Sequence, residues 1–310
     1  MMNEVRIFSP GTVSNVGCGF DTLGFCLDSI GDEMIIRKKS EKGIKISSIK
    51  GFNLPLETES NVAGVSALEM YNDLDIDYGF EIEIIKKIKP GSGIGSSGAS
   101  AVGSVFGMNY LLGSPFDKMQ LINYALKGEA LASKVEHADN IAPAILGGFT
   151  LVKSIKPLDV IKLPSPTDLY SVIVHPQIEI KTSESRSILP TKIPLKDAVI
   201  QWSNVGSLVH SLHTSDYKLL KKSIKDIVIE PYRRKLIPYF SDIRNIAVKS
   251  NGLGTSISGS GPSIFSLCKG LRSAKEIESK QRQFMENTEI KFHTYISKIN
   301  TQGVRIISRK

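Results

Sequence analysis

Residues 90–101, PGSGIGSSGASA, place four glycines and four serines between a strand-like run and a helix-like run. A glycine-rich turn that opens a helix presents backbone N–H groups and the positive end of the helix dipole, which together bind phosphate. A flexible surface loop would not explain the long helical pattern that follows at once. The stretch therefore predicts a strand–turn–helix unit with a phosphate-bearing ligand at the turn.

Two common phosphate-binding motifs describe this stretch poorly. The Walker pattern G-x-x-x-x-G-K-[ST] fails because no lysine follows the loop. Gly93, Gly95 and Gly98 match the G-x-G-x-x-G of dinucleotide folds, but a single match is weak evidence. The preceding strand alternates instead of being apolar throughout, and the acidic residue at about the right distance, Asp117, lies at a predicted helix start. A dinucleotide fold is therefore disfavoured.

The strand before the loop has a simple alternating pattern. In FEIEIIKKI, residues 80–88, Phe80, Ile82 and Ile84 share one face and the glutamates share the other. This alternation is typical of an antiparallel sheet with one face in water. Related patterns predict strands at 4–8, 33–38 and 149–153. Periodicity and end signals predict helices at 61–74, 98–112, 117–134, 139–146, 196–213, 216–225, 234–250 and 273–286.

The length predicts two lobes. A chain of 310 residues with 41% apolar composition can bury a substantial core, and domains of ordinary size would divide it in two. The proline-bearing stretch IKPLDVIKLPSPTD at 155–168 is the best candidate for the boundary. We therefore predict lobes at 1–157 and 158–310.

The N-terminus and the cysteines predict a cytoplasmic protein with no membrane contact. The opening MMNEVRIFSP has no apolar stretch behind a basic one, and no apolar run approaches about 18 residues, the length of a membrane span. Cys18, Cys26 and Cys268 are odd in number and lack the short paired spacing of a zinc site or a disulfide framework. We expect all three to be reduced and buried.

The net charge of +8 and the pI near 9.2 admit nucleic acid, an anionic membrane surface or small anionic ligands as partners. The lysines are interspersed with acidic residues rather than gathered in one run. No interleaving of aromatic and basic residues suggests stacking on single strands. Solvated lysines around a small anionic ligand explain the charge better, and we expect no nucleic-acid partner.

The loop fits a third pattern, P-x-x-x-G-[LI]-G-S-S-[AG], which belongs to the GHMP kinases. The matching positions are Pro90, Gly93, Ile94, Gly95, Ser96, Ser97 and Gly98. Four further segments resemble the homoserine kinases of that superfamily: SPGTVSNVGCGFDTLGFCLD at 9–28, GEALASKVEHADNIAPAILGGF at 128–149, EPYRRKLIP at 230–238 and GTSISGSGPSIFSL at 254–267. Five motifs in order are far more specific than one. A departure is Cys18, where the family often has proline.

The resemblance implies a two-lobe α+β fold, with an N-terminal lobe like ribosomal protein S5 domain 2 and a C-terminal ferredoxin-like lobe. It implies transfer of the γ-phosphoryl group of ATP to the side-chain hydroxyl of L-homoserine, a step of threonine biosynthesis. The implied cofactors are ATP and Mg²⁺. The implied nucleotide loop comprises Pro90, Gly91, Ser92, Gly93, Ile94, Gly95, Ser96, Ser97, Gly98, Ala99, Ser100 and Ala101.

The resemblance also implies roles for individual side chains. Phosphoryl transfer requires positioning and stabilisation of spreading negative charge. Glu129 matches the family's metal carboxylate and Ser97 is a plausible second ligand, so these two residues are expected to hold Mg²⁺. Without the resemblance, Glu129 would be interpreted as part of a solvated helix face.

Homoserine carries an ammonium, a carboxylate and a hydroxyl group. Arg186 and Arg233 match family arginines and would clamp the carboxylate with paired N–H donors. Asp21 suits the ammonium group, and Asn15 and Asn140 would hydrogen-bond around the amino acid.

Several assignments stay open or are declined. No general base is assigned, although Asp139 lies in a suggestive segment, and His137 is interpreted as structural. Arg234 and Arg244 are interpreted as surface residues. A kinase for another small alcohol, such as mevalonate or shikimate, is an alternative that the NVGCGFD segment disfavours. A homodimer is left open, because the sequence does not determine the oligomeric state.

Overall fold

The computed structural model describes residues 3–133 and 136–310. The strands are β1 (Glu4–Ser14), β2 (Leu23–Lys39), β3 (Ile44–Lys50), β4 (Gly79–Ile85), β5 (Phe149–Ile155), β6 (Leu158–Leu163), β7 (Leu169–Pro176), β8 (Gly254–Ile257), β9 (Ile264–Lys269), β10 (Phe292–Lys298) and β11 (Arg305–Arg309). The helices are α1 (Val62–Asn72), α2 (Ser96–Leu111), α3 (Lys118–Ser133), α4 (Ala138–Leu146), α5 (Thr182–Ser187), α6 (Leu195–Thr214), α7 (Tyr217–Ser223), α8 (Glu230–Arg233), α9 (Phe240–Lys249) and α10 (Leu271–Glu286).

The first sheet has the order β11-β1-β2-β4-β3, and β5 joins it by pairing with β2 and β6. Helices α1 to α4 share its hydrophobic core, in which Met34 and Ile82 of the strands lie with Val102 and Met108 of α2. Burial of these apolar side chains stabilises α2 against the sheet. The N-terminus of α2 therefore stays close to the end of β4, the strand that leads into the glycine loop.

The other face of the first sheet is polar, as the alternation in β4 predicts. Arg37 on β2 donates to Glu4 on β1 (Nε to Oε2, 2.6 Å), and it also contacts Glu83 on β4 (3.4 Å). Lys50 on β3 donates to the same Glu83 (2.6 Å). Each such partly exposed pair is weak, but together they keep this face in water. The predicted wet face is confirmed; the pairing is mixed because β3 runs parallel to β4.

The second sheet has the antiparallel order β10-β7-β9-β8. Helices α9 and α10 pack on one of its faces. On the other face, Phe265 of β9 meets Phe25 of β2 edge-on, with ring centroids 5.6 Å apart, and Phe25 also contacts Phe149 of β5 at 5.0 Å. This aromatic cluster belongs to a core shared by both sheets. The shared core fixes the two sheets relative to each other.

One predicted strand ends early for a local reason. The strand expected to reach residue 88 stops at Ile85. The backbone N–H groups of Lys87 and Ile88 donate to Oδ1 of Asp32 (2.7 and 2.8 Å) instead of to a neighbouring strand. The side chain of Asp32 thus redirects the chain toward the loop.

One predicted helix begins later than expected. The helix expected from residue 234 starts at Phe240, because Pro238 disfavours helical backbone at Ile237, which is extended. The helix predicted over 117–134 is present as α3, and the predicted last residue, Lys134, lies outside the described residues. Among the described residues, no helix combines the length and the apolar character needed to cross a membrane.

The boundary between lobes at residues 157 and 158 stays a prediction. Two strands from beyond that point, β6 and β11, pair within the first sheet. The C-terminal strand β11 therefore returns to the sheet in which the chain began. The α+β class expected from the family resemblance is confirmed by the two sheets and their helices.

Candidate functional site

A cavity of about 370 Å³ opens at the N-terminus of α2. All the residues predicted to bind homoserine or magnesium line it, although they come from six separate segments of the chain. They are Asn15, Asp21, Ser97, Glu129, Asn140, Arg186 and Arg233. The loop contributes Pro90, Gly91, Gly93, Gly95, Ser96 and Ser100. The fold therefore collects the predicted site residues around one space.

The glycine loop turns into α2 through left-handed backbone. Gly91, Gly93 and Gly95 have φ angles of 72°, 77° and 65°, which favour glycine. Gly95 is the N-cap of α2, and a Cβ there would lie 2.1 Å from Oγ1 of Thr12. Successive turns of this kind direct backbone N–H groups toward one side and suit an anion at the helix N-terminus.

Not every residue of the predicted nucleotide loop faces the cavity. Ser92, Ile94, Ala99 and Ala101 are at most 2% exposed, and Gly98 is buried against Asn140. These buried residues anchor the loop and α2 to the body of the protein. The cavity wall is formed by the other loop residues.

The loop is held in place by a second glycine-bearing segment, GTSISGSGPSIFSL at 254–267, which forms the turn between β8 and β9. The hydroxyl of Ser258 donates to the carbonyl oxygen of Gly93 (2.6 Å), and the N–H of Ser263 donates to that of Ser92 (3.3 Å). A Cβ on Gly93 would lie 2.6 Å from the carbonyl oxygen of Ser258. The two glycine motifs, about 165 residues apart in sequence, therefore touch backbone to backbone.

Lys86 is a site residue that the sequence analysis missed. Its ammonium group donates to the Asp32 carboxylate, to the carbonyl oxygen of Ser96 (2.6 Å) and to Oγ of Ser100 (2.8 Å). The side chains of Lys86 and Asp32 are 2% and 0% exposed, so the pair is fully buried beneath the first turn of α2. The sequence did contain a sign of this role. Lys86 continues the buried face of Phe80, Ile82 and Ile84, where an apolar residue would be expected.

Glu129 and Ser97 lie together at the predicted metal position. Glu129 is 6% exposed and hydrogen-bonds with Ser97. Burial raises the pKa of Glu129 to about 7, and the nearby Asp139 carboxylate adds to the rise, whereas the bond to Ser97 opposes it. A buried carboxylate with a raised pKa is better stabilised by a cation than by its present surroundings.

Asp21 and Arg186 form an ion pair across the cavity, in which both terminal nitrogens of the guanidinium donate to the carboxylate. Arg186 Nη2 donates to Oδ1 and Oδ2 of Asp21 (2.9 and 3.0 Å), and Nη1 donates to Oδ2 (3.1 Å). Asp21 was predicted to face an ammonium group, and the structure gives it a guanidinium partner instead. A substrate ammonium at Asp21 must therefore share this carboxylate with Arg186.

His137, interpreted from the sequence as structural, lies within the charged cluster. Its Nε2 is 3.0 Å from Nη2 of Arg186. A guanidinium can only donate, so Nε2 accepts and the ring proton lies on Nδ1, toward Asp21 Oδ1 at 4.0 Å. Burial lowers the pKa of His137; the Asp21 carboxylate opposes this change, and the charges of Arg186 and Arg233 add to it. The ring is therefore a neutral acceptor that orients Arg186.

Arg233 is 3% exposed and is fixed by the backbone. It donates through Nε to the carbonyl oxygen of Ser185 (3.2 Å) and through Nη1 to that of Gly259 (3.1 Å). Asn15 donates to the same Gly259 oxygen (2.9 Å) and accepts the N–H of Asp21 (2.8 Å). Burial lowers the pKa of Arg233 to about 10, so the guanidinium is still a cation at neutral pH.

Asn140 and Asp139 close the cavity from α4. Asn140 accepts from Thr12 (2.8 Å) and donates to Ser14 (3.0 Å), which ties α4 to β1. Asp139 is 3% exposed. Burial raises the pKa of Asp139 to about 7, and the Asp21 carboxylate adds to the rise.

Two arginines outside the predicted clamp behave differently. Arg234 is exposed, as expected. Arg244 was interpreted as a surface residue, and its side chain is 30% exposed, but it is also held by protein partners. It forms an ion pair with the buried Glu230, donates to the carbonyl oxygen of Thr255 (3.0 Å) and lies over the ring of Phe240. The buried Glu230 carboxylate accounts for the difference, because it requires a cationic partner.

An apolar wall of the cavity was also missed. Leu54, Pro55 and Val62 line the cavity near Asn61. Asn61 caps α1 by accepting from Ala63 N (2.9 Å) and folds the preceding segment back by donating to the carbonyl oxygen of Pro55 (2.7 Å). No local pattern marks this segment as part of the site, since its position depends on that fold-back.

Comparisons with known proteins agree with this geometry. Residues 61–148 match the GHMP kinases N terminal domain, and residues 208–287 match the GHMP kinases C terminal domain. The homoserine kinase of Chlorobium phaeovibrioides is 42% identical over 320 residues, covering 99% of this chain and 100% of that protein. The homoserine kinase of Methanococcus maripaludis is 41% identical over 271 residues, covering 86% and 89%.

Solved structures give the same result. The homoserine kinase of Cytophaga hutchinsonii superposes with a TM-score of 0.95 at 44% identity, covering 99% of this chain and 98% of that chain. L. major mevalonate kinase superposes with a TM-score of 0.73 at 14% identity over 95% and 96%, a likeness of fold alone. The loop at α2, the charged cluster opposite it and these full-length similarities lead to one conclusion: the chain belongs to the homoserine kinase family of the GHMP kinases.

Proposed function

We propose that this protein transfers the γ-phosphoryl group of ATP to the side-chain hydroxyl of L-homoserine, forming O-phospho-L-homoserine and ADP. One observation carries the proposal. A phosphate-type loop at a helix N-terminus and a cluster of Asp21, Arg186 and Arg233 line the same cavity. A nucleotide phosphate chain and a zwitterionic amino acid can therefore meet within it.

The nucleotide side is built mainly from backbone. The turn from Pro90 to Gly95 and the first turn of α2 offer N–H groups and the positive helix end to the phosphates. Lys86 fixes that turn through its bonds to Ser96 and Ser100. The apolar wall of Leu54, Pro55 and Val62 suits a flat base at the other end of the nucleotide.

Magnesium fits Glu129 and Ser97. Mg²⁺ prefers a few oxygen ligands from protein and takes others from water and phosphate. Among the described residues, no group of three or more histidine, cysteine or acidic side chains is placed to bind a metal, which agrees with a site that uses one carboxylate and one hydroxyl. When bound, the ion would supply positive charge to the phosphate oxygens.

The amino-acid side is built from charges. Arg186 and Arg233 place two guanidinium groups beside the Asp21 carboxylate, and a substrate carboxylate can bind to both of them. Arg233 uses Nε and Nη1 for backbone carbonyls, so Nη2 is the nitrogen left for the substrate. Asp21 is the acceptor for the substrate ammonium, and His137 holds Arg186 as the pair opens to admit it.

The reaction then depends on alignment. The homoserine hydroxyl oxygen forms a bond to the γ-phosphorus, the bond from that phosphorus to the bridging oxygen breaks, and ADP leaves with the bond's electron pair. The hydroxyl proton is released without an assigned protein base. Holding the two reactants in one cavity supplies most of the effect of such a mechanism.

The proposed compartment is the cytoplasm. Cys18, Cys26 and Cys268 are buried as free thiols. Free thiols are typical of a reducing environment.

A coupled assay of ADP formation tests the substrate. We expect turnover with L-homoserine and none with mevalonate or shikimate, because the cluster of Asp21, Arg186 and Arg233 matches a zwitterion. The second candidate, a kinase for another small alcohol, rests on the fold likeness to mevalonate kinases. Turnover of mevalonate or shikimate without turnover of homoserine would overturn the proposal.

A further inference from the structure

The aromatic ring of Phe20 contacts both arginines of the predicted clamp. The guanidinium carbon of Arg186 lies 5.4 Å from the ring centroid, and that of Arg233 lies 4.9 Å from it. A guanidinium over an aromatic face at such a distance is attracted by the negative charge of the π-system. Within the described residues, Phe20 is the one ring that carries two cations. The two arginines therefore share a single aromatic support.

The two guanidinium groups carry like charges in a small space. Arg186 forms an ion pair with Asp21 (2.9 Å), whereas Arg233 donates to two backbone carbonyl oxygens. Burial lowers the pKa of Arg233; the Asp21 carboxylate opposes this change, and the charge of Arg186 adds to it. The face of the Phe20 ring attracts both cations without adding a charged group that would compete with a ligand.

The ring is placed by a tight turn of the backbone. Asp21 and Asn15 both have left-handed backbone, with φ angles of 55° and 57°. The N–H of Leu23 donates to the carbonyl oxygen of Gly19 across this turn (2.9 Å), and a Cβ on Gly19 would lie 2.4 Å from Cβ of Leu23. Left-handed non-glycine residues concentrate at ligand sites, where the surrounding structure holds them. The local backbone therefore fixes Phe20, and the arginines reach it from α5 and α8.

Phe20 lies outside the cavity. Asp21, Arg186 and Arg233 line the cavity, and Phe20 does not. Any effect of the ring on a ligand therefore passes through the two guanidinium groups.

The contact between the ring and Arg186 matters most when a ligand enters. Nε of Arg186 is buried without a hydrogen-bond partner, so Asp21 and His137 hold this guanidinium through its terminal nitrogens alone. A substrate ammonium group at Asp21 weakens the ion pair with Arg186. The contact with Phe20 does not use the Asp21 carboxylate, so it keeps the guanidinium in place while that carboxylate changes partner.

We propose that Phe20 is a positioning residue that holds Arg186 and Arg233 at the separation needed to bind one substrate carboxylate between them. This role rests on the proposed function, because the carboxylate is that of L-homoserine. Each carboxylate oxygen then meets a different guanidinium group. An aliphatic side chain would keep the apolar character of the position but has no π-face to hold two cations.

Steady-state kinetics of Phe20→Leu test this role. We expect the KM for L-homoserine to rise about tenfold, which corresponds to about 1.4 kcal/mol and lies within the range of two partly desolvated cation–π contacts. The KM for ATP should stay within about twofold, because the nucleotide does not meet the arginines. Phe20→Tyr keeps the π-face and should hold the KM for L-homoserine within about threefold of the wild-type value.

Phe8→Leu is the matched control. Phe8 lies under Arg305 with 4.2 Å between the guanidinium carbon and the ring centroid, and neither residue lines the cavity. The same substitution there should change neither KM. If Phe20 only fills space, Phe20→Leu will behave like Phe8→Leu and leave both KM values unchanged, which would overturn the proposal. Equal increases in the two KM values of Phe20→Leu would overturn it as well.

A double-mutant cycle shows whether the ring acts through the arginines. Phe20→Leu should raise the KM for L-homoserine by a smaller factor in an Arg233→Ala background than in the wild type, because part of what the ring holds is already absent. Equal factors in the two backgrounds contradict the proposal. Wild-type protein without homoserine turnover overturns the proposed function and this role together, whereas an unchanged KM in active Phe20→Leu overturns this role alone.

Discussion

The cavity has two walls built on different principles. The wall proposed to bind the nucleotide phosphates, called here the phosphate wall, comprises Pro90 to Gly95 and the first turn of α2; it is continuous in sequence and consists mostly of backbone. The amino-acid wall consists of charged and polar side chains from distant segments, among them Asp21 and Arg186, which are 165 residues apart. One wall follows from local conformation, whereas the other requires several elements to be placed correctly at once.

The two walls also depend on different kinds of interaction with the rest of the protein. The phosphate wall is held by uncharged hydrogen bonds, such as the one that the hydroxyl of Ser258 donates to the carbonyl oxygen of Gly93. The amino-acid wall and the residues beside it bring ionisable groups together in a buried space. Burial there raises the pKa values of the Glu129 and Asp139 carboxyl groups. We expect the first wall to be sensitive to shape and the second to charge and pH.

The largest effect should appear in the pH dependence of stability. Burial raises the pKa of Asp139 from an ordinary value of 3.8 to about 7. A raised folded-state pKa contributes stability that is fully present below 3.8 and is lost as the pH rises through about 7. Removing the charge with Asp139→Asn should reduce this loss by a few kcal/mol, because each pKa unit corresponds to about 1.4 kcal/mol.

Chemical denaturation between pH 5 and 8 measures this effect. Glu129 shifts in the same direction, so the pH slope should shrink without vanishing in the Asp139 variant. Asp75→Asn, at an exposed position, is the control and should leave the slope as it is. If Asp139→Asn kept the wild-type pH slope, the buried Asp139 carboxyl group would not be a source of the pH dependence of stability.

The second-largest effect is expected at Glu129, the proposed magnesium ligand. Glu129→Gln should lower turnover at least about a hundredfold, since a metal's stabilisation of phosphoryl oxygens is worth several kcal/mol. The melting temperature should not fall, because a neutral amide relieves the buried charge. Steady-state kinetics at limiting and saturating Mg²⁺ provide the measurement, with the exposed Glu69→Gln as control. Near wild-type activity at limiting Mg²⁺ would return Glu129 to a structural role.

The phosphate wall should respond to shape. Gly95→Val combines a left-handed φ of 65° with a Cβ 2.1 Å from Thr12 Oγ1. We expect ATP affinity to fall roughly thirtyfold, about 2 kcal/mol, from strain and displacement of the turn. Calorimetric titration with ATP measures it. Gly113→Val, at the other end of α2 with φ 86° and no neighbouring atoms within 4 Å, is the matched control; equal losses in both variants would exclude a local role.

The smallest effect separates the two walls most cleanly. Arg186→Ala or Arg233→Ala should raise the KM for homoserine at least about tenfold, the value of a charge-assisted pair of about 1.4 kcal/mol, and should barely change the KM for ATP. Arg234→Ala removes the same charge at an exposed neighbour and should change neither. If the first two variants weaken ATP instead, the arginines belong to the phosphate wall and the carboxylate clamp is wrong.

Part of this structure could be predicted from the sequence alone. The glycine loop and the alternation of β4 depend on residues within a few positions of one another, and both are present in the structure. The family resemblance extended that reading to Asp21, Glu129 and Arg233, which line one cavity. The early end of β4 was not readable, because it depends on the carboxylate of Asp32, more than fifty positions away.

The sequence by itself thus determined the phosphate wall, since backbone conformation is encoded locally by glycine, by a following helix and by the strand that precedes both. Only the tertiary structure decided that Asp21 faces Arg186, that His137 orients that arginine and that Lys86 is buried beneath α2. These arrangements depend on strand order and on side chains that lie 49 to 165 positions apart in the sequence. Periodicity shows that a residue is buried, but the packing of whole elements decides which residue it meets.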